Sequence, residues 1–189
     1  MATTARGLTF EELELIPEEH EGDRQELIDG ELVVTPVPII KHQIVNMNLI
    51  RVLDRHVNTA GLGMVFTPPT GIRFSPHNLL IPDISVVAQD RLHILGIKTI
   101  DGAPDLVVEI LSPGTRRRDL ATKREVYARF GVREYWIVDA ETRSVLVLAL
   151  ADDRYEAVAP GDDGAVASRV LPGLKLALPD VFTGVAEER

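Results

Sequence analysis

The 189-residue chain has no cysteine, which excludes structural disulfides, thiolate zinc sites, iron–sulfur ligation and a cysteine nucleophile. It also lacks any apolar run near the roughly 20 residues that cross a bilayer. Its first residues, MATTARGLTFEELEL, have neither the basic region nor the apolar core of a secretory signal. The expectation is a cytoplasmic protein without membrane association. No G-x-G-x-x-G, Walker-type or G-x-S-x-G pattern occurs, so dinucleotide binding, P-loop chemistry and α/β-hydrolase chemistry have no support. The histidines His20, His42, His56, His77 and His93 show no metal-ligand spacing such as HxxxH. With no internal repeat, low-complexity tract or break in composition, residues 1–189 are expected to form a single domain.

Positive charge is scarce overall and concentrated where it occurs. The net charge of −9 argues against a general nucleic-acid coat. Residues 1–31 carry ten Asp or Glu against Arg6 and Arg24, whereas residues 116–133 carry seven Arg or Lys against Asp119 and Glu125. A polyanion responds to the local field, so a basic patch on an acidic protein remains a candidate contact. A solvated helix face accounts for the same charges equally well.

Patterning gives an order of elements. Thr9 and Glu12 have capping-box spacing and predict a short helix over 10–16, with an acidic loop over 18–23. The run 25–35, with Asp29-Gly30 at its centre, predicts a hairpin, because that dipeptide accepts the positive φ of a tight turn. Residues 39–59 show helical periodicity through Val45, Leu49, Val52 and Leu53, closed by Gly61. Strands are predicted over 64–66, 72–74 and 83–87, a short helix over 90–96 and a loop over 98–103. The run 105–111 is apolar enough for a central strand buried on both faces. Ser112-Pro113-Gly114 ends it, a helix over 119–130 follows, and 134–138 is the next strand, the pattern of a βαβ unit with parallel strands. A β meander over 144–150, 154–159 and 166–171 and a short terminal strand complete the chain.

Within this order Glu109 is the awkward residue, a carboxylate inside a buried strand, where an unpaired charge costs several kcal/mol or more. Asp83 stands at the start of an earlier apolar strand. Lys123 lies three residues after Leu120 and four before Tyr127, which predicts that it faces the sheet. Two converging carboxylates beside a lysine suit metal-assisted phosphodiester hydrolysis: hard oxygen donors hold Mg²⁺ or Mn²⁺ through incomplete shells, and an ammonium offsets charge on the phosphorane. The same residues also fit a buried Glu109–Lys123 ion pair without catalytic duty. Asp119 could cap the helix and pair with Lys123, and Asp83 could simply cap a turn.

The segments ELIDGEL at 26–32, His42, Pro82-Asp83, PDLVVEILSPGT at 104–115, then Asp119, Lys123, Tyr127 and GVREYWIVD at 131–139 give the chain a wider identity. Over about residues 9–182 it resembles the Uma family of the restriction-endonuclease-like PD-(D/E)XK superfamily. The resemblance implies an α/β (α+β) fold, a restriction-endonuclease-like mixed β-sheet flanked by helices. It also implies a divalent-metal-dependent endonuclease acting on nucleic acid, with DNA the expected substrate and Mg²⁺ or Mn²⁺ the cofactor. Asp83 and Glu109 would hold the metal, with Glu26 and Ile110 completing its shell. The superfamily lysine falls at position 111, which is Leu111 here; the Uma pattern supplies Lys123 instead. His42, Ser112 and Tyr127 would line the site, and Arg116, Arg117 and Arg118 would receive a phosphate backbone. The departure at Leu111 keeps a second expectation open, a catalytically silent nucleic-acid-binding or regulatory module. An exposed strand edge in the meander would suit a homodimer.

Overall fold

The computed structural model describes residues 7–17, 23–114, 116–161 and 164–186. The acidic loop expected at 18–23 therefore lies outside the described residues except for Asp23. Helix α1 (Phe10–Leu13) starts at the expected capping box, in which Thr9 and Glu12 each satisfy the other's backbone N–H. Strands β1 (Arg24–Ile28) and β2 (Glu31–Thr35) form the predicted hairpin, with φ of 50° at Asp29 and 81° at Gly30. Helix α2 (Ile40–Ala60) ends on Gly61 in the left-handed conformation and buries Val45, Leu49, Leu53 and Val57. Strands β3 (Gly63–Phe66), β4 (Gly71–Ser75), β5 (Asn78–Leu80) and β6 (Ile84–Ala88) follow, then a 3₁₀ turn over Gln89–Ile94 and strand β7 (Thr99–Asp101). Strand β8 (Leu106–Ile110) leads through a π-helical stretch, Arg118–Lys123, into α3 (Arg124–Arg129). Strands β9 (Glu134–Asp139), β10 (Ser144–Ala151) and β11 (Arg154–Ala157) and the short helix α4 (Leu178–Val181) end the described chain.

Two mixed sheets result: a five-stranded sheet in the order β2-β1-β5-β4-β7 and a six-stranded one in the order β11-β10-β9-β8-β6-β3. The βαβ expectation holds, since β8 and β9 are parallel neighbours, and β6 lies antiparallel on the other side of β8. One face of the six-stranded sheet packs Val86, Leu106, Val108 and Trp136 against α2 and the C-terminal segment. Its other face presents Val107, Tyr135 and Ile137 to Val126 and Tyr127 of α3 and to Ile28, Ile72 and Leu80 of the five-stranded sheet. Every residue of β8 is therefore buried, Glu109 included, as a run apolar at its other four positions leads one to expect. No helix among the described residues is long and apolar enough to cross a membrane.

Four local expectations fail for physical reasons. The turn residues Pro76-His77 hide β5, whose buried Asn78 is polar because its side chain binds Asp29 N–H, the Asp29 carboxylate and Ser75 Oγ. The expected loop at 98–103 contains β7, too short to show alternation: only Ile100 of its three residues is buried. Residues 166–171 are not a third meander strand. There the Glu134 carboxylate accepts from Ser168 Oγ and Arg169 N–H, and Val166 N–H reaches Leu176 O instead of a sheet neighbour. The tail forms α4, with Pro179 in its first turn, where a missing N–H costs nothing.

The helix expected over 119–130 is the most consequential difference. Its first part is π, with one more residue per hydrogen-bonded ring than an α-helix. Asp119 is buried at 1% exposure while Leu120 is 38% exposed, so the inward stripe is Asp119, Lys123 and Tyr127, and Leu120 is not on it. Asp119 sits inside the helical segment, which already includes Arg116 and Arg117, rather than capping it.

Candidate active site

Glu109 lies on β8 and Asp83 immediately precedes its neighbour β6, in a register that pairs Ile84 with Val108. One step further sets Asp83 opposite Glu109, so both carboxylates fall on the same face, the one turned toward the π-helical stretch and α3. Glu26, on β1 of the other sheet, is 1% exposed and accepts Ile81 N–H at 2.8 Å. Of the two glutamates flanking the hairpin turn, Glu26 thus points inward and Glu31 outward. Lys123 Nζ is 2.9 Å from Glu26 Oε1, 2.9 Å from Glu109 Oε1 and 3.9 Å from Asp119 Oδ1. Tyr127 OH donates to Glu109 Oε1 at 2.7 Å. The helix and the two sheets thus converge on one ammonium group.

A second set of contacts fixes Asp83. Arg24 Nη1 approaches its Oδ1 at 2.8 Å, while Ile110 N–H donates to its Oδ2 at 2.7 Å and His42 Nε2 lies 3.1 Å from the same oxygen. His42 Nδ1 is buried without a hydrogen-bond partner among the described residues. The Ile110 side chain belongs to the core, so this residue could offer an ion only its main-chain carbonyl. Arg24, absent from the sequence-based site, lies two residues before Glu26 on β1; strand periodicity puts both on one face and would have found it. Asp119 was legible as a helix cap, an i, i+4 partner and part of the family pattern, but not as a member of the buried cluster.

These groups form the floor of a cleft of about 320 Å³ whose lining includes Arg24, Glu26, His42, Asp83, Glu109 and Lys123. Ser112 and Arg118 lie on its wall. Arg118 Nη1 donates to Thr35 Oγ1 at 3.0 Å. The other two arginines are placed differently: Arg116 is held by Asp139 at 2.7 Å, and Arg117 is exposed outside the cleft lining.

Burial and crowding decide the charge states. Burial pushes the Glu109 carboxyl up to about 8; the Lys123 ammonium pulls it down, but Asp119, Asp83 and Glu26 add to the rise. Burial also tends to raise Asp83, yet His42, Arg24 and the Ile110 N–H hold it below the ordinary carboxylate range. Burial works against the Lys123 cation, but Glu109, Glu26 and Asp119 outweigh it and raise its pKa. Burial, then Glu109, raises Tyr127, so its hydroxyl stays a neutral donor. Four carboxylates (Glu26, Asp83, Glu109 and Asp119) thus face two fixed cations, Arg24 and Lys123. Fully ionised, the cluster is two positive charges short.

The donor chemistry fits a hard divalent ion, since the available groups are carboxylate oxygens and their charge deficit is two once Glu109 gives up its proton. Among the described residues no three His, Asp or Glu side chains form a ready-made metal-binding group. The fit is therefore to an ion that keeps most of its water and takes one or two carboxylates, as Mg²⁺ commonly does.

Two mixed sheets with an acidic cleft at the end of adjacent strands define an α+β protein. The chain belongs to the Uma2 family, whose model, described as "Putative restriction endonuclease", matches residues 9–179. A crystal structure described as "a putative nuclease belonging to DUF820", from Anabaena variabilis ATCC 29413, is similar with a TM-score of 0.78 and 23% identity, covering 95% of this chain and 99% of that one. That likeness speaks for the fold. No curated protein matches the chain.

Proposed function

We propose that the protein is a divalent-metal-dependent endonuclease that hydrolyses phosphodiester bonds of nucleic acid, with DNA the substrate to be tested first and Mg²⁺ or Mn²⁺ the cofactor. The observation that carries this reading is that Asp83, one residue before β6, and Glu109 of the neighbouring strand β8 line one cleft, with Lys123 Nζ bonded to Glu109 there. Asp83 and Glu109 would hold the metal, assisted by Glu26 and the Ile110 carbonyl. What a bound divalent ion supplies is polarisation of the phosphate and a more acidic water.

The chain's own residues supply the remainder. Arg24 and the Ile110 N–H keep Asp83 ionised and fixed in orientation. Tyr127 fixes Glu109 by donating to it. Lys123, anchored by two carboxylates, presents a buried ammonium that offsets negative charge developing on the phosphorane, and in a water-poor site such preorganised charge stabilises a transition state by several kcal/mol. His42 lines the cleft beside Asp83 and restricts its rotation.

A second reading, a catalytically silent nucleic-acid-binding or regulatory module, is favoured by one observation: Lys123 already serves as internal counter-ion to the carboxylates, and position 111 holds a buried leucine. Cleavage of single- and double-stranded DNA with Mg²⁺ or Mn²⁺ separates the readings, comparing the wild type with Asp83→Asn and Glu109→Gln. Cleavage by the wild type alone supports the nuclease. Equal cleavage by all three proteins refutes the metal assignment, and salt-dependent binding without cleavage under any divalent ion supports the silent module.

The same reading treats residues 1–189 as one domain, because the two larger cores share the six-stranded sheet, and takes the cytoplasm as its place of action. The outer edge of β11 has no strand neighbour among the described residues and would be the place for a homodimer to form.

A further inference from the structure

The floor and the mouth of the cleft differ sharply. Glu26, Asp83, Glu109, Asp119 and Lys123 are each at most 3% exposed. At the mouth, Val34, Val37 and Ile39 are 38%, 61% and 55% exposed although they line the same cleft. Pro36 and Pro38 alternate with them and stiffen the segment. Facing this apolar wall are the Ser112–Gly114 turn and Arg118, which reaches across to Thr35. A cavity with a buried acidic floor, one apolar wall and a single arginine facing that wall is asymmetric in a way that selects its occupant.

We infer that the cleft takes single-stranded nucleic acid in preference to duplex, the strand's phosphate lying by Arg118 and its base against Val37 and Ile39. The inference rests on the reading of the floor as a phosphodiester-cleaving site. A duplex carries its phosphates on a stiff convex surface and its base faces stacked inside, so it can neither descend to carboxylates this deeply buried nor use an apolar wall. A single strand is flexible and exposes its base faces, and proteins that bind one combine a basic track with apolar or aromatic platforms. The wall holds valine, isoleucine and proline and no hydrogen-bonding side chain other than Thr35, so contact with the base is tolerant of sequence.

The test uses the full chain, with Ca²⁺ replacing Mg²⁺, and measures the anisotropy of a dye-labelled oligothymidine strand of about 20 nucleotides and of a duplex of the same length. The variants are Val37→Ser combined with Ile39→Ser, both at exposed positions outside the acidic floor, and Arg118→Ala. The expected result is at least tenfold tighter binding of the strand than of the duplex. The serine pair should weaken the strand about fivefold and leave the duplex unchanged, and Arg118→Ala should weaken both. The inference is overturned if the duplex binds as tightly as the strand, if neither binds, or if the serine pair binds the strand like wild type. It is also overturned if sedimentation shows the serine pair abolishing self-association with strand affinity intact, because the wall is then covered by a second copy. Binding in Ca²⁺ does not depend on turnover. Cleavage without strand preference therefore removes this inference alone, and strand preference without cleavage removes the nuclease reading alone.

Discussion

Replacing Lys123 with methionine keeps much of the side-chain volume and removes the one cation shared by Glu26, Glu109 and Asp119. Losing one partner of a buried, hydrogen-bonded pair costs about 3–5 kcal/mol, because the other charge stays buried without compensation. For a chain of this length that is a fall of about 10 °C in the unfolding midpoint. The loss should depend on pH. Glu109, raised by burial to about 8 from an ordinary 4.5, is largely protonated in the folded protein near pH 5 and half ionised near pH 8. Its raised value means that its contribution to stability is complete below about pH 4.5 and is lost as pH rises through 8. Without the ammonium the carboxyl moves further up, so the Lys123→Met penalty should be larger at pH 9, where most wild-type Glu109 is ionised, than at pH 5, by about 1 kcal/mol. Urea unfolding at both values measures it. Adding Glu109→Gln should recover part of the loss, not all, because Glu26 is the ammonium's second partner at 2.9 Å. A penalty under about 1 kcal/mol at both pH values would refute the idea that this lysine holds the carboxylates together.

Three further outcomes are expected. Because Glu109 sits at about 8, binding of Mg²⁺ at pH 7 should release roughly one proton, falling toward none by pH 9; calorimetry in buffers of different ionisation enthalpy reads this directly, and no release at pH 7 would exclude Glu109 as a ligand. Leu120→Gln should change stability by no more than about 0.5 kcal/mol, since the π turn leaves that side chain 38% exposed, whereas a loss of 2 kcal/mol or more would return Leu120 to the core. Glu134→Ala should cost about 2–4 kcal/mol and raise amide exchange over 166–171, because its carboxylate accepts from Trp136 Nε1, Ser168 Oγ and Arg169 N–H; unchanged exchange there would show that the loop is held by its apolar contacts alone.

What could be read from sequence divides along physical lines. The hairpin at Asp29-Gly30, the long helix ending on Gly61 and the buried strand bearing Glu109 are each set by local chemistry, and each is found where it was expected. The short strands β5 and β7 draw their stability from neighbours distant in sequence, so no local pattern marks them. For the candidate site, the residue types were legible and their company was not. Glu26 and Lys123 are 97 positions apart in sequence, and only the approach of the two sheets and the helix brings them to 2.9 Å. Arg24 escaped notice because a lone arginine at the start of a hairpin looks like a solvated charge. Lys123 and Tyr127 face inward as expected, but Leu120 does not share their row, because helical periodicity presupposes an α pitch that residues 118–123 do not keep.

That change of pitch has a consequence for descent. An α turn carries a residue four positions on slightly past its starting direction, and the wider π turn leaves it slightly short. One turn of each, in succession, lines up Asp119, Lys123 and Tyr127 on a single inward row. The inward row thus depends on the number of residues in the segment as much as on their identity. A relative that kept every one of these side chains but had lost a single residue from this stretch would preserve the fold and turn its lysine toward solvent, so that loss or gain of activity in such a lineage could be recorded in a gap rather than in a substitution.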